Sequence, residues 1–287
     1  MTRQAKLYYE VTKPRVWYLI AFVAFGGFVA GSQNPVDWFR AIHAVAAVAL
    51  AAAGSESVAN YLEKDLDALM DRTRRRPLPS GRLKPARNAL IYGVLLTAIG
   101  LALSIPLNIL TFTFILIGVL DYVVVYVILT KRRTPLNIIL GSFAGGAPVM
   151  AGYSAAAGYV GIDAWLLAAI VVLWIPSHIW SLALRYREDY VRAGVPMLPV
   201  IVNESKAIRC IASSSILIAI FTITVYFLTP VYGLLYLAVA VVSGLILLYL
   251  SLKLTVKPTR EMAWRLFKFT SPYLALIFLA VVLDKLL

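Results

Sequence analysis

The chain has 287 residues, 61% of them hydrophobic and only 14% charged, against roughly 25% charged in a soluble domain. Apolar runs use nearly the whole length, which leaves no room for a separate soluble domain. The single cysteine, Cys210, excludes a disulfide framework, a thiolate metal cluster and a Cys-x-x-Cys-His heme tether.

The first apolar run follows Met1-Thr2-Arg3-Gln4-Ala5-Lys6. It lacks a convincing cleavage site and reads as a retained helix. Hydropathy predicts an all-α membrane bundle of about nine transmembrane helices in one domain, 1–287, each span near the roughly 20 residues a bilayer requires. The predicted spans are 16–32, 38–58, 87–105, 108–129, 136–157, 163–184, 207–228, 231–252 and 266–286. The net charge is +13, and 25 of the 27 Lys and Arg residues fall on alternate connections, leaving only Arg40 and Lys285 opposite. That asymmetry makes the charge topological, not a nucleic-acid surface. It places the N-terminus and the long loops in the cytoplasm, so a multi-pass protein of the cell membrane with its site facing the cytoplasm is expected.

The first acidic loop, 59–87, is predicted to carry the second span past its apolar run as helix until Pro77. At 100° per residue Glu56, Asn60, Glu63, Asp67 and Asp71 fall within an arc of about 80°. Carboxylates on one face followed by arginines suit a divalent cation and a diphosphate. The competing reading is a solvated juxtamembrane helix with i,i+4 ion pairs. Asp65 points off the face and is given a salt-bridge role.

Asp121, Tyr122 and Tyr126 end the fourth span, ahead of Lys131-Arg132-Arg133. The tyrosine face suits a developing cation and the basic run a phosphate, or both are an aromatic belt and ordinary topology. Gly141-Ser142-Phe143-Ala144-Gly145-Gly146-Ala147-Pro148 reads as close helix packing or as room for a flat ligand. The sixth span carries Pro176 and His178 into the second polar loop, 185–206, where His178, Arg185 and Asp189 share a face. A histidine near a membrane face is a metal, heme or acid–base candidate, or is hydrogen-bonded between helices. His43 reads as structural.

Three segments in order, "DLDALMDRTRRRPLPSGRL", "KRRTPLNIILGSFAGGAPVMAG" and "EDYVRAGVPMLPV", resemble the heme branch of the UbiA-type intramembrane prenyltransferases, the heme O synthases or protoheme IX farnesyltransferases. The family's first aspartate-rich pattern, Asn-Asp-x-x-Asp-x-x-x-Asp, falls on Ala59, Asn60, Glu63 and Asp67. Its second, Asp-x-x-x-Asp, is represented only by Arg185 and Asp189. The resemblance implies a nine-helix bundle around a cavity, in which Mg²⁺ assists transfer of a prenyl group from farnesyl diphosphate, or a longer prenyl diphosphate, to heme b. It implies Asn60, Glu63, Asp67 and Asp189 for metal, and Arg72, Lys131 and Arg132 for diphosphate, with Arg185 beside them. Tyr126 would face the cation and His178 the heme. Membrane lipid surrounds such an enzyme, and a heme A synthase would follow it. The alternatives are another prenyl acceptor, a non-catalytic heme carrier and a secondary transporter.

Overall fold

The computed structural model describes residues 2–33, 35–229 and 231–287, and the described residues are helical without strands. The helices are α1 (Arg3–Val11), α2 (Pro14–Gly31), α3 (Trp38–Leu62), α4 (Lys64–Leu69), α5 (Arg87–Ser104), α6 (Ile109–Leu120), α7 (Asn137–Leu140), α8 (Phe143–Ala157), α9 (Ile162–Arg185), α10 (Arg187–Arg192), α11 (Leu198–Ile201), α12 (Glu204–Leu228), α13 (Leu234–Val256) and α14 (Arg260–Leu286). Among the described residues nine stretches are long and apolar enough to cross a membrane. Each overlaps one predicted span. The last starts earlier than hydropathy suggests, because α14 runs on through a charged first turn in which Arg265 pairs with Glu261 at i,i+4.

Helices α2 and α9 sit centrally: α2 packs on α3, α8 and α14, and α9 on α8, α12 and α14. Lipid tails give apolar side chains little reason to prefer each other over the bilayer, so close backbone approach matters more here than in water. The α2–α8 crossing shows it. A Cβ on Gly152 would lie 1.9 Å from the Ala24 carbonyl oxygen, and one on Gly27 would lie 2.3 Å from that of Val149. Large apolar side chains such as Phe39, Ile109, Leu234 and Val256 are left on the outside, as expected of a surface solvated by hydrocarbon.

The two ends of the bundle differ. At one end the connections are short and tied by single side chains. Arg40 donates to the carbonyls of Ala155 and Leu107 at 2.6 and 2.9 Å, and Asp284 accepts the backbone N–H groups of Gly233 and Tyr236. The other end carries the long connections 63–86, 131–136 and 186–203.

One predicted span is not a regular α-helix throughout. After Leu120 the chain widens into a π-helical segment, Asp121–Thr130, and the Lys131 N–H bonds the Tyr126 carbonyl five residues back at 2.8 Å. Side chains hold the wide turns. Asp121 accepts the Ala144 N–H at 2.7 Å, and the Thr130 hydroxyl donates to the Val125 carbonyl at 2.8 Å. Such segments concentrate at functional sites because they re-aim side chains. Here the result is a stacked pair, Tyr122 on Tyr126, with ring centroids 5.9 Å apart.

Candidate active site

A cavity of about 410 Å³ runs from the long-loop end into the bundle between α2, α3, α6, α8, α9 and α14. Val23, Val48, Ile115 and Leu274 make its deep wall apolar, while its outer part carries five cations, Lys13, Arg15, Arg72, Arg76 and Lys131, and three acids, Glu56, Glu63 and Asp67.

The acids are buried, at 4, 4 and 5% exposure, so each needs a charged partner. Glu56 accepts from Lys13 Nζ and from the Tyr122 hydroxyl, both at 2.8 Å. Glu63 is ion-paired with Lys131. Asp67 takes Arg76 Nη1 at 2.8 Å. Burial works against the Lys131 ammonium, but the Glu63 carboxylate outweighs it, and the lysine pKa stands above its ordinary value. The same ammonium lies 5.1 Å from the Tyr126 ring centroid, a cation–π distance. Lys13 reaches the wall through a turn between α1 and α2 in which it adopts a left-handed backbone, φ 49°, uncommon for a residue with a side chain. With three acids paired, two of the five cations remain over, so the outer wall keeps a positive excess of a kind that suits an anion.

Farther along the wall, His178 is clasped between Trp174 and Phe267, with ring centroids 4.3 and 4.4 Å away and interplanar angles of 19 and 22°. Its Nδ1 lies 2.7 Å from Thr270 Oγ1. The glycines of 141–148 are closely packed, and a Cβ on Gly145 would meet Ile175 Cδ1 at 2.6 Å. Gly141 and Gly145 line the cavity, whereas Gly152 serves the helix crossing, and a Cβ on Gly141 would meet the Tyr126 Cβ at 2.6 Å.

Of the ten residues expected at the site, Glu63, Asp67, Arg72, Tyr126, Lys131 and His178 line this one cavity. The other four stand elsewhere. Asn60, although within the predicted arc, donates its amide to the carbonyls of Val11 and Glu56 at 2.6 and 3.1 Å. Arg132 is held bidentate by Asp65, both contacts 2.8 Å. Arg185 is exposed where α9 ends. Asp189 is buried behind the wall, accepting the backbone N–H groups of Asp71 and Arg72 at 3.1 Å each.

That last contact corrects the predicted helix. The chain kinks at Glu63, runs through α4 and leaves helical geometry at Met70, seven residues before Pro77. In a continued helix the N–H groups of Asp71 and Arg72 would bond carbonyls four residues back. The Asp189 carboxylate takes them instead. Asp71 therefore leaves the stripe and pairs with Arg192 at 2.9 Å, and Arg72 and Arg76 come over the cavity. Among the described residues no three His, Cys, Asp or Glu side chains converge as a ready metal nest.

Lys13, Arg15, Glu56, Arg76, Tyr122 and Tyr190 line the wall in addition to the residues expected there, Tyr122 as part of the tyrosine face read from the sequence. Glu56 carried a signal, since it lies within the arc. Lys13 carried none, because what brings it to Glu56 is a backbone turn.

The model of the UbiA prenyltransferase family matches residues 19–280. A protein named protoheme IX farnesyltransferase from Desulforudis audaxviator is 45% identical over 98% of this chain and 88% of its own length. One of the same name from Thermoplasma volcanium is 40% identical over the full length of both, and one from Pyrobaculum neutrophilum 43% identical over 96% of this chain and 98% of its own. Among solved structures, a digeranylgeranylglyceryl phosphate synthase superposes with a TM-score of 0.80 at 20% identity, covering 99% of both chains. A UbiA homolog from Archaeoglobus fulgidus, bound to GPP and Mg²⁺, superposes with a TM-score of 0.71 at 17% identity, covering 96% of this chain and 99% of that one. The fold agrees over nearly the whole bundle, and the full-length sequence matches narrow the assignment: the chain belongs to the UbiA prenyltransferase family, in its protoheme IX farnesyltransferase branch.

Proposed function

We propose that the chain transfers the farnesyl group of farnesyl diphosphate to a vinyl group of heme b, with addition of water, to give heme O. One observation carries this reading. A single cavity joins a cation-rich outer wall, fit for a diphosphate, to an apolar interior, and His178 lines it between two aromatic rings. A carrier of heme alone has no use for the first half, and a transporter would place its charges near the membrane midplane, not beside the long loops.

The reaction breaks the allylic C–O bond and leaves the electron pair on the departing diphosphate. Arg72, Arg76 and Lys131 are placed to hold its oxygens, each as a charge-assisted donor. Tyr122 and Tyr126 present stacked rings to the allylic carbons as positive charge develops there. The vinyl carbon captures that carbon, and water adds to the cation formed on the acceptor with loss of a proton. The apolar deep wall holds the farnesyl chain and keeps other water from the cation.

Glu63 and Asp67 are hard oxygen donors on the cavity wall, held in this structure by Lys131 and Arg76, and as donors they suit a divalent ion that would take the place of those cations and complete its shell with substrate oxygens and water. Mg²⁺ bound there would supply Lewis-acid neutralisation of the leaving diphosphate. Support comes from the Archaeoglobus homolog, solved with GPP and Mg²⁺ and also with Cd²⁺. Asn60 and Asp189 belong to this reading as positioning groups: one joins α3 to the end of α1, the other sets the loop that carries Arg72. The placement of Lys and Arg directs the long-loop end to the cytoplasm. A heme A synthase would then consume the product.

Purified protein with heme b, farnesyl diphosphate and Mg²⁺ is expected to yield a heme heavier by one farnesyl group plus water, and none in EDTA. Heme that binds and is recovered unchanged, with farnesyl or longer donors, would leave a carrier.

A further inference from the structure

The hydrogen bonds around His178 fix more than its position. Thr270 Oγ1 lies 2.7 Å from His178 Nδ1 and 2.7 Å from the Phe267 carbonyl oxygen. The hydroxyl has one proton, and a carbonyl oxygen can only accept. If that proton went to Nδ1, two oxygens would face each other at 2.7 Å with no hydrogen between them. If it goes to Phe267, both contacts are satisfied, and Nδ1 must carry its own proton. A neutral imidazole protonated at Nδ1 has its lone pair at Nε2.

The surroundings keep that lone pair available. Stacking by Trp174 and Phe267 covers the two faces of the ring but not its edge. Among the described residues no side chain bonds Nε2, and His178 lines the cavity. His43 contrasts with it, since its Nε2 is sealed in the bundle without a partner. Thr270 also accepts the Trp174 indole N–H on its carbonyl at 2.7 Å, so one residue of α14 sets both the tautomer and the rotation of the rings opposite.

We propose that Thr270 is a positioning residue which locks His178 in the Nδ1–H tautomer, so that Nε2 meets the iron of the heme substrate as a ligand. This rests on the prenyl-transfer reading for the identity of the ligand but not for the tautomer. A second partner on the other ring nitrogen is what orients ligating histidines in general.

The test uses the full-length protein in detergent without heme. The chain has two histidines, so ¹⁵N-histidine labelling in a His43→Gln background leaves one imidazole to observe. The expected spectrum shows Nδ1 protonated and Nε2 bare. Thr270→Val should introduce the opposite tautomer, and Thr270→Ser should restore the first; farnesyl diphosphate binding, unchanged in both, shows that they fold. A wild-type ring protonated at Nε2, or one indifferent to Thr270→Val, overturns the lock. Ferric heme titrations test the consequence. Thr270→Val should weaken binding by roughly tenfold, the low end for losing such a partner, with a Soret shift that Thr270→Ser reverses. A locked tautomer whose heme spectrum and affinity are the same in His178→Phe overturns the iron contact, while the product assay above decides the prenyl-transfer reading by itself.

Discussion

The two polar loops, 59–87 and 185–206, look alike in composition: each sets acids near arginines at the end of an apolar helix. Their roles diverge. The first turns Glu63 and Asp67 into the cavity and brings Arg72 and Arg76 over it. The second turns Asp189 away from the cavity to hold the first loop by two backbone N–H groups, and Arg192 adds an ion pair to Asp71. What separates a wall carboxylate from an anchoring one is the partner within reach. Asp67 meets a side-chain cation that a substrate can displace. Asp189 meets backbone donors that have no other acceptor, and giving them up would leave polar groups unsatisfied behind the wall.

The largest effect expected from breaking that contrast is on the wall. Asp67→Asn keeps the size and a hydrogen-bond acceptor for Arg76 but removes the charge that would hold a cation. Turnover should fall by about 10²–10³-fold, as for other losses of a preorganised electrostatic group. Single-turnover product analysis reads it, with intact membrane insertion as control. Activity within a few-fold of the parent would move the metal elsewhere. Lys131→Met should come next. It strands the Glu63 carboxylate at 4% exposure, so both stability and diphosphate affinity should drop, the first by about 3–5 kcal/mol as for a buried pair that loses one partner.

How these residues meet was only partly legible. The nine spans follow from hydropathy, because a bilayer admits few ways to bury a backbone. The arc of acids on α3 and α4 follows from helical periodicity, and it placed Glu63 and Asp67 on one face, now the cavity face. Periodicity has nothing to say about partners from other helices. Asn60 meets the last carbonyl of α1, Arg132 meets Asp65, and Asp189 stops the helix at Met70. Each is decided by chain crossings of 49, 67 and 118 residues. Lys13 is the extreme case, since only its left-handed turn directs the ammonium to Glu56. The widened turn at Tyr122 and Tyr126 is likewise held by Asp121 reaching Ala144 on a later helix.

Asp189→Asn should fall between. The amide still accepts one backbone N–H through its oxygen but loses the charge and the second contact, a cost of about 1–3 kcal/mol. Because Arg72 is carried by those bonds, the KM for the prenyl diphosphate should rise more than kcat falls, and the Mg²⁺ concentration giving half-maximal activity should stay put. A shift in that concentration comparable to the one produced by Asp67→Asn would instead put Asp189 on the metal.

The smallest effect is expected two residues from the largest. Asp65 and Asp67 both lie on α4, but the side chain of Asp65 is 60% exposed and its partner Arg132 43% exposed. The hydrogen bonds from the Arg132 guanidinium hold the Asp65 carboxyl below its usual pKa. A lowered folded value means that the pair stabilises the protein above the ordinary carboxylate range and loses that contribution as pH falls through the lowered value. At neutral pH, then, Asp65→Asn removes the whole of it, yet an exposed pair is worth only about 0.2–1 kcal/mol, and the guanidinium keeps its bond to the Leu62 carbonyl. Turnover should stay within about twofold, and the difference in melting temperature from the parent should shrink as the assay is moved to acid, where the parent has lost the pair too. A loss of activity matching that of Asp67→Asn would mean that α4 presents both acids to substrate and that its present face is one of two.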